Sequence, residues 1–154
     1  MSDITLDHIK FEHARVGALI EQYEKQATTT EYVIERAVIP LPVGARVAGP
    51  IFKDDGTLDY YLILHANEDS GSHDEAKAYV AGRGYKLPNC REGRLLQAAF
   101  PDECAKGSMW LEDDYEGDGA YAWYQSYSYG TQTTSHKSAA LRAVAVSRFI
   151  PSLI

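Results

Sequence analysis

Residues 59–101 read DYYLILHANEDSGSHDEAKAYVAGRGYKLPNCREGRLLQAAFP. Tyr60-Tyr61-Leu62-Ile63-Leu64 is an unbroken apolar run of strand length, the pattern of a strand covered on both faces. Residues 67–72 are a polar loop. Ser72 can cap a helix through Ala81, with Glu75 three residues on to complete a capping box. Ala76, Tyr79 and Val80 give that helix an apolar stripe, and Gly82 and Gly84 stop it. Pro88 opens a second helix over about 90–100, with Leu95, Leu96 and Ala99 inward. Pro101 ends it. One buried strand followed by two short helices is the kernel of the chain.

Working outward, residues 46–53 and 57–65 form a hairpin around Asp54-Asp55-Gly56, because Asp-Gly supplies the positive φ of a tight turn. Residues 32–39 are rich in β-branched side chains and read as a strand, ended by Pro40 and Pro42. Downstream, Met109-Trp110-Leu111 is a short strand, residues 121–129 are another, turned at Gly130, and residues 141–150 are the last. Helix, strand, hairpin, two helices and several short strands make an α+β chain, with both helices inserted between β segments of one sheet system.

The N-terminal stretch reads as an amphipathic helix. Thr5 can cap it and Asp7 suits the positive end of its dipole. Leu6, His13 and Ile20 hold one seam position of a heptad pattern, and Ile9, Val16 and Tyr23 the other. Three heptads are marginal alone, so this seam is expected to pack, either on its own domain or on copies of itself. On that view His13 is a packed residue. Thr28-Thr29-Thr30 breaks the helix. The chain then divides into residues 1–27, for packing or oligomerisation, and a domain over residues 31–154.

At 154 residues the chain can bury a core without staples. Its net charge is −7, and seven carboxylates crowd residues 102–118 against Lys106 alone. An acidic chain repels phosphate backbones, which argues against nucleic acid. No apolar run has the ~18 residues of a membrane span. Charged residues stud positions 1–20, so no leader peptide is read there, and the expected location is the cytoplasm of a host cell, or a virion if assembly carries the protein out. Cys90 and Cys104 have no zinc spacing and read as free thiols.

The residues from Asp59 to Phe149 resemble a family of C-type-lectin-like domains of phage and prophage type, of unknown function, akin to the Lcl C-terminal domain. The resemblance rests on Asp59-Tyr60-Tyr61-Leu62-Ile63-Leu64, Asp74-Glu75-Ala76-Lys77-Ala78-Tyr79, Leu87-Pro88-Asn89-Cys90-Arg91-Glu92, Tyr121-Ala122-Trp123-Tyr124-Gln125 with Tyr129-Gly130, and Leu141-Arg142-Ala143-Val144-Ala145-Val146-Ser147-Arg148. It departs at Trp110-Leu111-Glu112, where the family has Trp-Ser-Ser, and at Asn89-Cys90, where it has Thr-Arg. The resemblance implies a lectin-like fold, with two helices packed on short antiparallel sheets. It carries no activity over.

Function is sought in the loops and late strands. Tyr121, Trp123, Tyr127 and Tyr129 fall on alternate positions, so one strand face would carry them, with Trp123 turned to the core. Tyrosine offers large contact area at low rotamer cost, and Ser126, Ser128 and residues 131–135 add adaptable hydrogen-bonders. The candidate partner-binding residues are therefore Tyr115, Tyr121, Tyr124, Tyr127, Tyr129, Gln132 and His136. The acidic residues Glu112, Asp113, Asp114, Glu116 and Asp118 lack the triplets of calcium-dependent sugar lectins and read as a solvated loop. The histidines show no metal spacing. No nucleophile elbow, phosphate loop or dinucleotide fingerprint occurs, so no catalytic residue, metal or cofactor is assigned. The expectation is a non-enzymatic protein that binds a protein partner, such as a host bacterial protein. The alternatives are a tail or virion accessory protein oligomerised through Leu6, Ile9, His13, Val16, Ile20 and Tyr23, and a glycan-binding lectin.

Overall fold

A computed structural model describes residues 3–26, 31–34, 36–66 and 69–151. The chain divides into two compact units, residues 1–36 and 37–154. The helix break at Thr28-Thr29-Thr30 lies outside the described residues.

The first unit is built on α1 (Leu6–Lys25). Thr5 caps it by accepting the His8 N–H at 3.2 Å, Asp7 lies in the first turn and Lys25 in the last. No residue of α1 is buried, and Leu6, Ile9, Val16, Ile20 and Tyr23 stand exposed with His13. His13, expected as a packed residue, is thus exposed in the single chain. The strand expected over 32–39 does not form among its described residues. β-propensity reflects fit to a paired, half-buried surface, and the described residues of this run are mostly exposed.

The second unit holds two sheets. Strands β1 (Arg46–Phe52), β2 (Leu58–His65) and β8 (Ala145–Phe149) form an antiparallel sheet in the order β1-β2-β8. The β1–β2 hairpin closes as expected: Gly56 adopts φ 84°, and Asp55 accepts from both the N–H and the hydroxyl of Thr57. Strands β3 (Ser70–Gly71), β4 (Met109–Asp114), β5 (Tyr121–Gln125), β6 (Gln132–His136) and β7 (Leu141–Arg142) form the second sheet, ordered β3-β7-β4-β5-β6. Its pairs are antiparallel except β4–β7, which is a parallel contact at Met109 and Arg142.

The two inserted helices are α2 (His73–Gly82) and α3 (Cys90–Ala99). Ser72 caps α2 through the Glu75 N–H, but the reciprocal capping box is found on α3, where Asn89 and Glu92 exchange bonds of 2.8 and 2.9 Å. Pro101 does not simply end α3. It sits in the first turn of α4 (Pro101–Cys104), where its missing N–H has no cost.

The final segment is two strands and not one. After β7 the chain leaves the second sheet, and after Ala143 and Val144 it enters the first as β8. That crossing places neighbours in different cores. Leu62, Leu64, Leu96, Cys104, Met109, Val144 and Val146 form one cluster. Ala76, Val80, Leu87, Trp110, Ala122, Ala143 and Ala145 form the other. Trp110 is fully buried and its indole N–H reaches the Gly71 carbonyl at 2.9 Å, which satisfies its one polar group.

Candidate binding surface

The β5–β6 hairpin carries most of the candidate residues, and its register decides which of them meet. Tyr121 faces His136 across the ladder, Trp123 faces Thr134 and Gln125 faces Gln132. Residues directly opposite share a face, so Tyr121, Trp123 and Gln125 of β5 stand with His136, Thr134 and Gln132 of β6. The intervening Ala122 and Tyr124 turn the other way, onto the second core cluster.

The shared face is covered at one end and open at the other. Toward Gln125, α3 lies on it. The buried Gln125 amide donates to the Gly93 carbonyl at 2.9 Å, and Gln132 donates to the Cys90 carbonyl at 2.6 Å and to Gln125 Oε1 at 3.0 Å. A side chain at Gly93 would meet Gln125 Oε1 at 2.6 Å, so only glycine lets the helix approach. Toward Tyr121 the face carries an aromatic group. Tyr121 and His136 meet edge to face with ring centroids 5.5 Å apart, and Tyr115 meets Trp123 the same way at 6.1 Å. Such contacts are each worth ~0.5–1.5 kcal/mol beyond buried area.

The β4–β5 connection sets Tyr115 in this group. The Tyr115 N–H bonds the Tyr121 carbonyl at 3.0 Å, and the Tyr121 N–H bonds the Asp118 carbonyl at 3.1 Å. The Tyr115 ring lies over Gly117, where an added Cβ would come within 2.7 Å of it. Glycine at 117 thereby lets the ring fold back toward Trp123.

The seven candidates do not form one surface. Tyr115, Tyr121 and His136 come together, with Trp123 as a half-buried fourth member that was expected in the core. Tyr124 packs toward the core, its ring 6.5 Å from that of Trp110. Gln132 is spent on internal bonds. Tyr127 and Tyr129 are not on β5, since the strand ends at Gln125 and residues 127–130 turn the chain. Tyr129 takes φ 61° and Gly130 φ 68°, a left-handed pair that breaks the alternation the sequence displays. These two tyrosines are 60% and 95% exposed. They stand at the opposite end of the hairpin, roughly a strand length of ~13 Å from Tyr121.

The acidic run is more tied down than a solvated loop. Glu112 pairs with Arg148 at 3.4 Å, Asp113 accepts the Cys90 N–H at 3.1 Å, Asp114 pairs with Lys137 at 3.1 Å and Asp118 accepts the Ala120 N–H. The Lys137 hydrogen bond holds the Asp114 carboxyl below the usual range. Among the described residues no group of three His, Cys, Asp or Glu is set to hold a metal ion. Both cysteines are free thiols. Burial, helped by Asp113, pushes the Cys90 thiol up to about 11.

Glu92 and His73 are among the buried polar groups that escaped the sequence reading. Glu92, fully buried, accepts from Arg148 at 2.8 and 2.9 Å, from the Tyr60 hydroxyl at 2.7 Å and from the Asn89 N–H. Burial pulls its pKa upward but is outweighed by these donors, so the carboxyl stays below its usual value. The reverse applies to Tyr60, pushed up to about 12 by burial and by Glu92. His73 is also fully buried. Its Nε2 meets the Leu111 carbonyl at 2.8 Å and must donate there, so Nδ1 carries the lone pair in the neutral ring, 3.9 Å from Asp114. Burial lowers its pKa. The signal for Glu92 was present: Asn89-x-x-Glu92 is a helix-start pattern, and Arg148 is the one charged residue of its strand.

No family model matches this chain, and no curated protein matches it.

Proposed function

We propose that this chain is a non-enzymatic binding module of the phage and prophage lectin-like class that its sequence resembles. It contacts a protein partner through the open aromatic end of the β5–β6 hairpin. The pairing of β2 with β8 supports the lectin-like fold, because it closes the chain around both inserted helices and the second sheet. The observation that carries the binding reading is the exposed group of Tyr115, Tyr121 and His136 around Trp123, built on a hairpin whose other end is anchored under α3. A rigid support with aromatic rings at its free end is the form in which interface hot spots occur.

The test is a pull-down from bacterial host lysate with the wild type and a Tyr115→Ala/Tyr121→Ala variant, followed by affinity measurement on whatever is captured. Loss of ~2 kcal/mol or more in the variant supports the reading. Equal affinity removes this end of the hairpin from the interface.

A second reading is self-assembly. It is favoured by one observation: the heptad seam of α1 lies exposed along its whole length. A three-heptad helix is marginal in water without a partner. Light scattering of the full chain and of a chain lacking residues 1–27 decides it, since an unchanged protomer number after deletion excludes assembly through α1. No described helix is long and apolar enough to cross a membrane.

A further inference from the structure

The two open sheets have four edges between them, and three are blunted. β1 carries Pro50 and pairs with β2 through two register shifts. β3 is only Ser70–Gly71. Beside β8, Lys86 and Val146 exchange backbone hydrogen bonds of 3.0 and 2.8 Å and occupy that edge. Proline, irregular register, short length and a covering segment are the means by which sheets avoid pairing with other chains. β6 has none of them. Gln132–His136 pairs with β5 in unbroken register and contains no proline and no Asp, Glu, Lys or Arg. Among the described residues β5 is its only strand neighbour.

The ladder fixes which backbone groups of β6 face outward. Ser126 donates to the Thr131 carbonyl at 2.7 Å and Lys137 to the Ala120 carbonyl at 2.9 Å, one at each end of the β5–β6 pair. In an antiparallel ladder hydrogen-bonded pairs alternate with non-bonded ones, so Thr131, Thr133, Ser135 and Lys137 turn their backbone groups to β5. Gln132, Thr134 and His136 turn theirs outward. The His136 carbonyl accepts from Ala139 at 2.9 Å, on the outer side as this alternation requires. Among the described residues the N–H and C=O of Thr134 bond no other segment. The edge is also neutral in a chain of net charge −7, whose copies repel one another elsewhere. No Asp or Glu follows Asp118, and Lys137, next to the strand, is held by Asp114 at 3.1 Å.

We propose that β6 is a self-pairing edge: a second copy of this chain adds its own β6 antiparallel to the first, about a two-fold axis at Thr134. A two-fold contact is self-complementary, and only centring it on Thr134 sets the whole of β6 against its copy. Thr134 then exchanges backbone hydrogen bonds with Thr134 of the second copy, and the Gln132 backbone meets that of His136. Thr133 comes opposite Ser135 on the other face. Every pair is uncharged, so no like charges are opposed. The same register brings the turn at Tyr129 beside residues 138–140 of the second copy. Tyr129 is 95% exposed and has φ 61°, a backbone state rare for a bulky residue. Ala139 and Ala140 of the second copy give its ring small apolar neighbours. The contact uses neither α1 nor a partner at the aromatic end of the hairpin, and it stands apart from both readings above.

The experiment is sedimentation equilibrium of the full chain over a concentration series, with amide hydrogen exchange read at both ends of the series. A single strand pair is a small contact, so a reversible association in the micromolar range or weaker is expected. The Thr134 amide proton should exchange fast in dilute protein and slowly in concentrated protein. Those of Thr133 and Ser135, bonded to β5, should stay protected in both. Thr134→Lys and Thr134→Glu each set like charges against one another across the axis and should weaken association roughly fivefold or more, with unchanged circular dichroism. An equimolar mixture of the two variants should recover it. Assembly through α1 is indifferent to residue 134. The proposal is overturned by a wild type that stays monomeric throughout, by Thr134 exchange that is independent of concentration, or by folded variants that associate as the wild type does. Weakened variants whose mixture does not recover overturn the antiparallel register. If neither variant folds, Thr134 exchange in the wild type decides.

Discussion

Replacing Arg148 by Met removes the guanidinium and keeps the stem. The carboxylate it serves, Glu92, has no exposed surface and receives four hydrogen bonds, two of them from Arg148. In the variant only Tyr60 and the Asn89 N–H remain. Removing one member of a buried pair costs ~3–5 kcal/mol, because the other is left charged and unpaired. Arg148 itself is 29% exposed, so water can partly replace it, and the lower end applies. Loss of its contact with the Tyr60 ring, at 5.5 Å, adds a fraction of 1 kcal/mol. The expected loss is about 3 kcal/mol at pH 7. In urea this moves the midpoint by roughly 1.5 M for an m-value of ~2 kcal/mol/M. By heat it lowers Tm by roughly 10 °C.

The pH dependence makes the test sharper. In the wild type the folded Glu92 carboxyl titrates below its unfolded value, so the unfolded chain binds more protons in acid. The contribution of Glu92 is complete above the unfolded value of ~4.3 and is lost as pH falls through the lower folded value. In Arg148→Met burial prevails, and the folded carboxyl rises above the unfolded value. Its contribution then grows as pH falls toward ~4.3, so the gap between the two proteins narrows from pH 7 to pH 4. A Glu92→Met/Arg148→Met protein should recover part of the loss, since no charge is stranded. A single variant within 1 kcal/mol of wild type, with a gap that is flat in pH, would refute a carboxylate held by Arg148.

His73 and His65 are both buried and both have pKa values lowered by burial, so the folded state prefers the neutral rings. Their contribution is full above the unfolded value of ~6.5 and is lost as pH falls below it, so Tm should begin to drop between pH 6.5 and 5.5. A Tm that is level over that interval counts against neutral buried histidines. Gly117→Val should push the Tyr115 ring off Trp123, reducing partner affinity more than stability; a variant whose Trp fluorescence and binding are unchanged shows that the ring does not lie there. With its thiol raised from 9.0 to about 11, Cys90 has roughly a hundredfold less thiolate than an ordinary cysteine at neutral pH. Alkylation kinetics in the native protein should be slower by about that factor, and full-speed labelling would contradict the burial of Cys90 beside Asp113.

The parts of the fold that were legible share one property: their signals are local. The caps of α1 and α2, the Asp55-Gly56 turn and the apolar run at Leu62-Ile63-Leu64 each state a backbone conformation within a few residues. The failures come where a local signal is true but incomplete. Alternation through Tyr127 and Tyr129 is real in the sequence, and nothing in those residue types forbids a longer strand. The left-handed Tyr129-Gly130 pair stops it, at a place where a Cβ on residue 130 would come within 2.6 Å of the Gln97 side chain. β6 has the opposite problem, because Gln132-Thr133-Thr134-Ser135-His136 has no apolar alternation and is a strand through its pairing with β5. The described residues of the 32–39 run have strand propensity and form no strand.

The same asymmetry governs the candidate surface. Tyr115, Tyr121 and His136 were picked out by residue type, which rings and hydroxyls make easy. Alternation puts Trp123 on the face of Tyr121 and Tyr124 on the other, but which of the two faces is left open follows from register, since a shift of one residue would exchange them. Register here is set from the far end, by Gln125 and Gln132 locked under Gly93 and Cys90 of α3. The aromatic end of the hairpin therefore depends on two glutamines that lie outside it. Gln125→Leu should leave the Gly93 carbonyl and the Gln132 amide short of a partner, at ~1–3 kcal/mol of stability. It should also disturb the Tyr121 and His136 rings a strand length away, which His136 ring-proton shifts can follow. Unmoved His136 shifts in a destabilised Gln125→Leu protein would mean that the hairpin holds its register without α3.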